Sequence, residues 1–165
     1  MGEKKKMDAE DFKILEHLLD NSRIKQKDLA KLVNLDERMV SRRIERLLKE
    51  GIIKRFTIDI DWSKLGYDMH AYVTTNTAIG NDMRNDLYSF FNSNHRIIRA
   101  DSTVGASEYV LFTICKDIHD FRTKISIPLE PLTAGISTSI ISSNIKQRNC
   151  KALLKIIAEE YDADK

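Results

Sequence analysis

Cysteine is scarce in this 165-residue chain. The two present, Cys115 and Cys150, lie far apart and form no CxxC pair. That excludes a disulfide framework and a paired-cysteine zinc site, and leaves buried, inert thiols as the expectation. Long apolar runs are lacking too. None approaches the roughly 18 residues needed to span a bilayer, and the opening MGEKKKMDAED has no apolar region of the signal-peptide kind, so the chain is expected to work in the cytoplasm, with no membrane partner. Charge of one sign is also in short supply: 27 Lys+Arg against 25 Asp+Glu, net +2, is too even to argue for nucleic acid by itself. The four histidines, His17, His70, His95 and His119, fall on different predicted elements without nucleophile–base or metal-ligand spacing. No catalytic residue, metal site or cofactor is expected.

What remains is a soluble globular composition, 42% hydrophobic and 32% charged, in a length that allows one domain or two small ones. The charge is unevenly placed. Residues 1–66 carry 16 basic against 13 acidic side chains and residues 67–165 carry 11 against 12, while Glu37 to Arg55 alone holds seven basic to three acidic. A local excess of this kind is what a phosphate-facing patch requires.

That excess sits in a helix pair. Leu29, Leu32 and Val33 keep helical spacing, with Ala30 small enough for a close crossing. Asn34, Leu35 and Asp36 then supply a residue tolerant of the left-handed conformation and a good N-cap. Beyond Asp36, Val40, Ile44, Leu47 and Leu48 share one face, and Gly51 ends the helix. At about 100° per residue, Arg38, Arg42 and Lys49 project from the opposite face, with Ser41, Glu45 and Arg46 beside them. A helix with an apolar back and a guanidinium-rich front, second in a helix-turn-helix, is built to enter a DNA major groove. The expected DNA-binding set is Arg38, Ser41 and Arg42 at base edges or nearby phosphates, with Arg46, Lys49 and Lys54 on the backbone. Arg43 lies nearer the apolar edge, where a structural ion pair is at least as good a reading as DNA contact.

Ahead of this pair, a helix is expected from Asp8, with Phe12, Leu15, Leu18 and Leu19 inward and Asp20, Asn21 and Ser22 ending it. After it, the β-branched and aromatic run Ile52 to Ile60 predicts a strand, followed by a connection in which Trp62 anchors the linker by packing. The remainder alternates. Strands are expected at Met69–Thr75, Ile97–Val104, Tyr109–Cys115 and Ile136–Ile145. A helix capped by Asn81 or Asp82 and another capped by Asp117 lie between them, Pro128 and Pro131 preventing simple continuation of the second; a last helix spans Ala152–Tyr161. The order β-α-β-β-α-β is the ferredoxin-like arrangement.

Taken together, Asp11 with Ile14 and Leu15, Arg23, Leu29 and Ala30, the block VSRRIERLLKEGIIKRF, Lys64 to Gly66, Gly105 before Glu108 and Tyr109, and Ile145 to Gln147 with Asn149 resemble the Lrp/AsnC family of transcription regulators. The matches cover nearly the whole chain in order. The resemblance implies an α+β protein: an N-terminal winged-helix-like helix-turn-helix domain over 1–52, a strand and linker over 53–66, and a C-terminal βαββαβ domain, called RAM, over 67–165. It implies double-stranded DNA as partner, with a roughly palindromic operator, and a homodimer that can assemble into tetramers or octamers. It also implies a small-molecule effector such as an amino acid at a RAM interface, held here by Thr103, Gly105, Ala106, Ser107 and Glu108. Two positions depart from the family pattern, Asp36 where Ser is usual and Glu108 where Asp is usual. An effector-independent DNA-binding regulator and, on similar architecture, a sirohaem-decarboxylase-like enzyme are the alternatives.

Overall fold

The computed structural model describes residues 7–78, 81–143 and 150–163, with the side chains of 81, 82, 162 and 163 outside that description. Contacts divide the chain into two compact units, Met1–Asp59 with Lys146–Lys165, and Ile60–Ile145.

The first unit is built on α1 (Ala9–Asp20), α2 (Gln26–Val33) and α3 (Glu37–Lys49). Its core is Ile14, Leu29, Ala30, Val33, Val40 and Leu47, with Leu15, Leu18, Ile24, Leu35, Ile44 and Ile53 against it. Ile14 is the buried apolar residue of α1 that the expected stripe omitted. Leu19, Leu32 and Leu48, all expected inward, are exposed, because three short helices enclose only a narrow stripe each and leave the flank of an amphipathic face in water. The last helix, α7 (Cys150–Ala163), belongs to this unit by its contacts, whereas the sequence boundaries placed all of 67–165 together. Lys151 bonds Asp20 at 2.5 Å and lies 3.5 Å from Glu16, and the Phe12 and Tyr161 rings meet edge-on at 5.5 Å. These contacts join residues far apart in sequence, so no local pattern foretells them.

The strand expected over Ile52 to Ile60 is absent: residues 54–60 have no regular structure, and Phe56 and Ile58 are exposed, Ile58 to 72%. The composition suits a strand, but a strand exists only as a member of a ladder, and nothing among the described residues pairs with this one.

The second unit is a four-stranded antiparallel sheet in the order β2-β3-β1-β4, with β1 Met69–Thr77, β2 Ile97–Ser102, β3 Tyr109–Cys115 and β4 Thr133–Ile140. Its helices are α4 (Asn81–Ser93), and α5 (Ile118–Phe121) running through a π turn, Arg122–Ser126, into α6 (Ile127–Leu129) and a 3-10 turn, Glu130–Leu132. The period of two places Met69, Ala71, Val73, Tyr109, Leu111 and Cys115 on one face against Leu87, Phe91, Phe121, Ile125 and Leu129. The opposite face carries Tyr72 and Phe112, their rings 5.4 Å apart. Trp62 is half-buried in a 3-10 turn, Trp62–Leu65.

Several expectations shift in this unit. β4 starts at Thr133 and ends at Ile140, beyond which Ile141 still donates its N–H to the His70 carbonyl at 2.9 Å; Ile145, like Lys146, Gln147 and Asn149 of the family pattern, lies outside the described residues. So do Lys4 to Lys6 and the side chains of Asn81 and Asp82. Asp117 does cap α5, accepting from Asp120 N–H at 2.8 Å. Pro128 does not stop the helical path. Having no N–H, it cannot serve the carbonyl one turn back, and Asn94 Nδ2 donates to that Lys124 carbonyl instead, at 2.6 Å. Asn94→Ala is therefore expected to lower stability by about 1 kcal/mol, at the low end of the range for an orphaned carbonyl because this one is water-accessible; urea unfolding would measure it. Cys115 is buried, which pushes its thiol up to about 11, but Cys150 is exposed, contrary to expectation.

Candidate nucleic-acid interface and effector loop

Local chemistry sets the angle of the second helix. Asn34 is the one non-glycine residue with positive φ among those described, at φ 57° and ψ 46°, and it closes α2 by donating its N–H to the Ala30 and Lys31 carbonyls. Two residues later the Asp36 carboxylate accepts the Met39 N–H at 2.8 Å and opens α3. Val40 and Leu47 are fully buried, each contributing about 1.5–3 kcal/mol relative to exposure. The back of α3 is thereby fixed to its own unit.

The front divides its cations into two groups. Arg38, Arg42 and Lys49 are exposed and, among the described residues, have no hydrogen-bonding or ionic partner; Lys54 is exposed beyond the helix end. Ser41 is half-buried and donates its hydroxyl to Glu45 at 3.4 Å. Arg43 and Arg46 turn the other way. Arg43 Nη1 donates to both Asp8 carboxylate oxygens, at 2.7 and 2.8 Å, and to Asp11 Oδ1 at 2.8 Å. Arg46 Nη2 donates to Asp11 Oδ2, and its Nη1 is buried. Arg46 was expected on the DNA backbone; it is instead committed to Asp11, because it stands one turn beyond Arg43 on the flank of α3 that meets α1.

Asp8 and Asp11 are the residues sequence reasoning passed over as charge partners. They already form a reciprocal capping box, Asp11 N–H to Asp8 Oδ1 at 3.0 Å and Asp8 N–H to Asp11 Oδ2 at 3.1 Å. Burial alone would raise the Asp8 carboxyl, but the hydrogen bond from Arg43 and the Asp11 amide outweigh it and hold it at about 2. Arg43 is correspondingly raised, chiefly by its bond to Asp8. A signal was present: Asp11, Leu15 and Leu18 keep the spacing of one helical stripe, and a carboxylate in an inward stripe calls for a cationic partner.

The loop between β2 and β3 holds the other expected site. Thr103 N–H donates to the Glu108 carbonyl at 2.7 Å, and the Thr103 hydroxyl donates to the Ser107 carbonyl. Glu108 N–H donates to Asn76 Oδ1 at 2.7 Å, and its carboxylate accepts the Thr77 hydroxyl at 2.6 Å and the Thr77 N–H at 3.1 Å. Those bonds, the hydroxyl's first, hold the Glu108 carboxyl below the usual carboxylate range. The loop thus gathers Thr103, Ser107 and Glu108 with Asn76 and Thr77, two residues not foreseen, and leaves Val104, Gly105 and Ala106 exposed at its tip. Gly105 is not in the left-handed region, and a Cβ there would meet nothing within 4 Å. Packing among the described residues makes no demand for glycine at this position.

Residues 7–54 match a family model described as winged helix-turn-helix DNA-binding. The chain is 30% identical over 146 residues to the transcriptional regulator AzlB of Bacillus subtilis, covering 86% of this chain and 92% of that one. Among solved structures, Bacillus subtilis LrpC superposes with TM-score 0.78 at 25% identity over 87% of this chain and 99% of its own. A transcriptional regulator from Neisseria meningitidis, solved as an L-Met complex, agrees in fold, with TM-score 0.79 at 18% identity over 87% and 95%. With a capped helix-turn-helix bearing an open cationic face, a separate βαββαβ sheet and relatives matching along almost their entire length, the chain belongs to the Lrp/AsnC family and is a DNA-binding transcription regulator.

Proposed function

We propose that this regulator reads a roughly palindromic operator as a homodimer or larger assembly, without catalysing a reaction, and that a small molecule such as an amino acid at the 103–108 loop modulates it in the cytoplasm. The observation that carries the DNA reading is the division of α3: among the described residues Arg38, Arg42 and Lys49 stay unpaired while neighbouring arginines are neutralised internally. Arg38, Ser41 and Arg42 read or flank bases, and Lys49 and Lys54 hold phosphates. In a dimer the two helices would meet successive major-groove faces about 34 Å apart. Assembly is supported by surface that one chain leaves open: the Tyr72 and Phe112 face of the sheet, and the apolar, unladdered residues Phe56 and Ile58.

For the effector, Glu108 is held by Thr77 in its charged form, suited to an ammonium group, and Gly105 is open where no contact among the described residues explains the glycine. The L-Met complex of the neisserial regulator makes an amino acid the first class to try. An effector acts only through different affinity for two arrangements, so the test is fluorescence anisotropy on an operator with each common amino acid present and absent. At least one is expected to shift the operator midpoint about fivefold. Saturable amino-acid binding with no shift in that midpoint would refute the modulatory role, and scrambling one half-site should weaken binding at least about tenfold.

A further inference from the structure

We propose that Glu37 is a specificity-determining residue, its carboxylate accepting a hydrogen bond from the exocyclic amino group of a cytosine in the operator. The assignment rests on α3 being the reading helix. Glu37 is the first residue of that helix, directly after the Asp36 cap. Its side chain is exposed and, among the described residues, forms no hydrogen bond or ion pair. With Gln26, Asp36, Arg38 and Ser41 it lines an open cleft beside the N-terminal turns of α2 and α3. The N-terminal residues of the second helix in a helix-turn-helix are those that reach base edges.

A carboxylate at that place has no proton to give. Phosphates, guanine N7 and O6, and thymine O4 present only lone pairs and repel it; among major-groove groups only the amino hydrogens of cytosine and adenine attract it. Adenine sets the N7 acceptor beside its amino group, which penalises a second carboxylate oxygen. Cytosine does not. Glu37 therefore costs binding on most sequences and recovers it where a cytosine faces it, which is selection by penalty as much as by attraction. An acidic residue in a first turn also complements the helix dipole, but that role is indifferent to DNA sequence, and this separates the two.

The experiment is selection of bound sites from a random DNA library by the full-length protein, its Glu37→Ala and Glu37→Gln variants and Arg42→Ala, followed by titration of single-base operator variants. Thermal melting of each protein checks folding. The wild type is expected to lose roughly tenfold when one symmetry-related cytosine is changed. Glu37→Ala should accept all four bases there within about twofold, and Glu37→Gln should move the preference toward adenine. Unchanged base preference at every position in both Glu37 variants overturns the assignment. If Arg42→Ala alters selection in that same experiment, α3 stands as the reader and only the role of Glu37 falls; if Arg42→Ala leaves selection intact as well, the reading of α3 falls with it.

Discussion

Asp11→Ala is expected to destabilise the helix-turn-helix unit by about 3 kcal/mol and to abolish operator binding near its melting temperature. Three roles are lost at once. The side chain, 0% exposed, is the shared counter-ion of Arg43 and Arg46 and the acceptor that completes the capping box with the Asp8 N–H. Its removal leaves two guanidinium groups, each more than four-fifths buried, facing one remaining carboxylate. An ion pair replaced whole by apolar groups can be neutral in stability, whereas removing one partner is costly because the survivor stays desolvated. Urea unfolding of the full chain, followed by far-UV circular dichroism, measures the effect; a loss below about 1 kcal/mol would show that the arginines find solvent without cost.

The same cluster has a pH signature. Asp8 is held at about 2 in the folded chain, below an ordinary carboxylate near 4. A depressed folded value stabilises above the unfolded one, so the contribution is complete above about pH 4 and is lost as pH falls through about 2. Acid unfolding of Asp8→Asn should lack this component.

Arg42→Ala is expected to lower operator affinity about 10- to 100-fold, as for loss of a bidentate guanine contact, while leaving the melting temperature unchanged. Arg42 is exposed and, among the described residues, has no hydrogen-bonding or ionic partner that its loss would disturb. Lysine should not restore specificity, since a single ammonium cannot reproduce the planar fork of a guanidinium. Arg46→Ala supplies the contrast: it should lose stability first and binding only as a consequence. Competition anisotropy with operator and random duplex, beside thermal melts, tells them apart. An Arg42→Ala protein with wild-type affinity and base preference would remove it from the reading set.

How far these features could be read from the chain follows from the range of the forces involved. The caps at Asp8, Asp36 and Asp117 and the left-handed Asn34 were legible because each bonds within a few residues of itself. The strand and helix order of the sheet unit was legible from periodicity. The fate of Arg46 was not, since helical angle places a side chain on a flank but does not name the carboxylate of another helix, 35 residues earlier, that captures it. The run through Ile58 misled for the opposite reason: its propensity was correct, and no ladder partner stands among the described residues. The braces on Glu108 from Asn76 and Thr77 depend on strand register, 32 and 31 residues distant.

The lengthwise division of α3 has a consequence for how such a protein can change. Residues that make the helix fold, Val40, Arg43, Arg46 and Leu47, occupy one side; Glu37, Arg38, Ser41, Arg42 and Lys49 are not used in holding it there. With the second group as the proposed DNA readers, substitutions there would leave the scaffold in place, and target choice would be free to diverge between duplicated copies without a passage through unfolded variants.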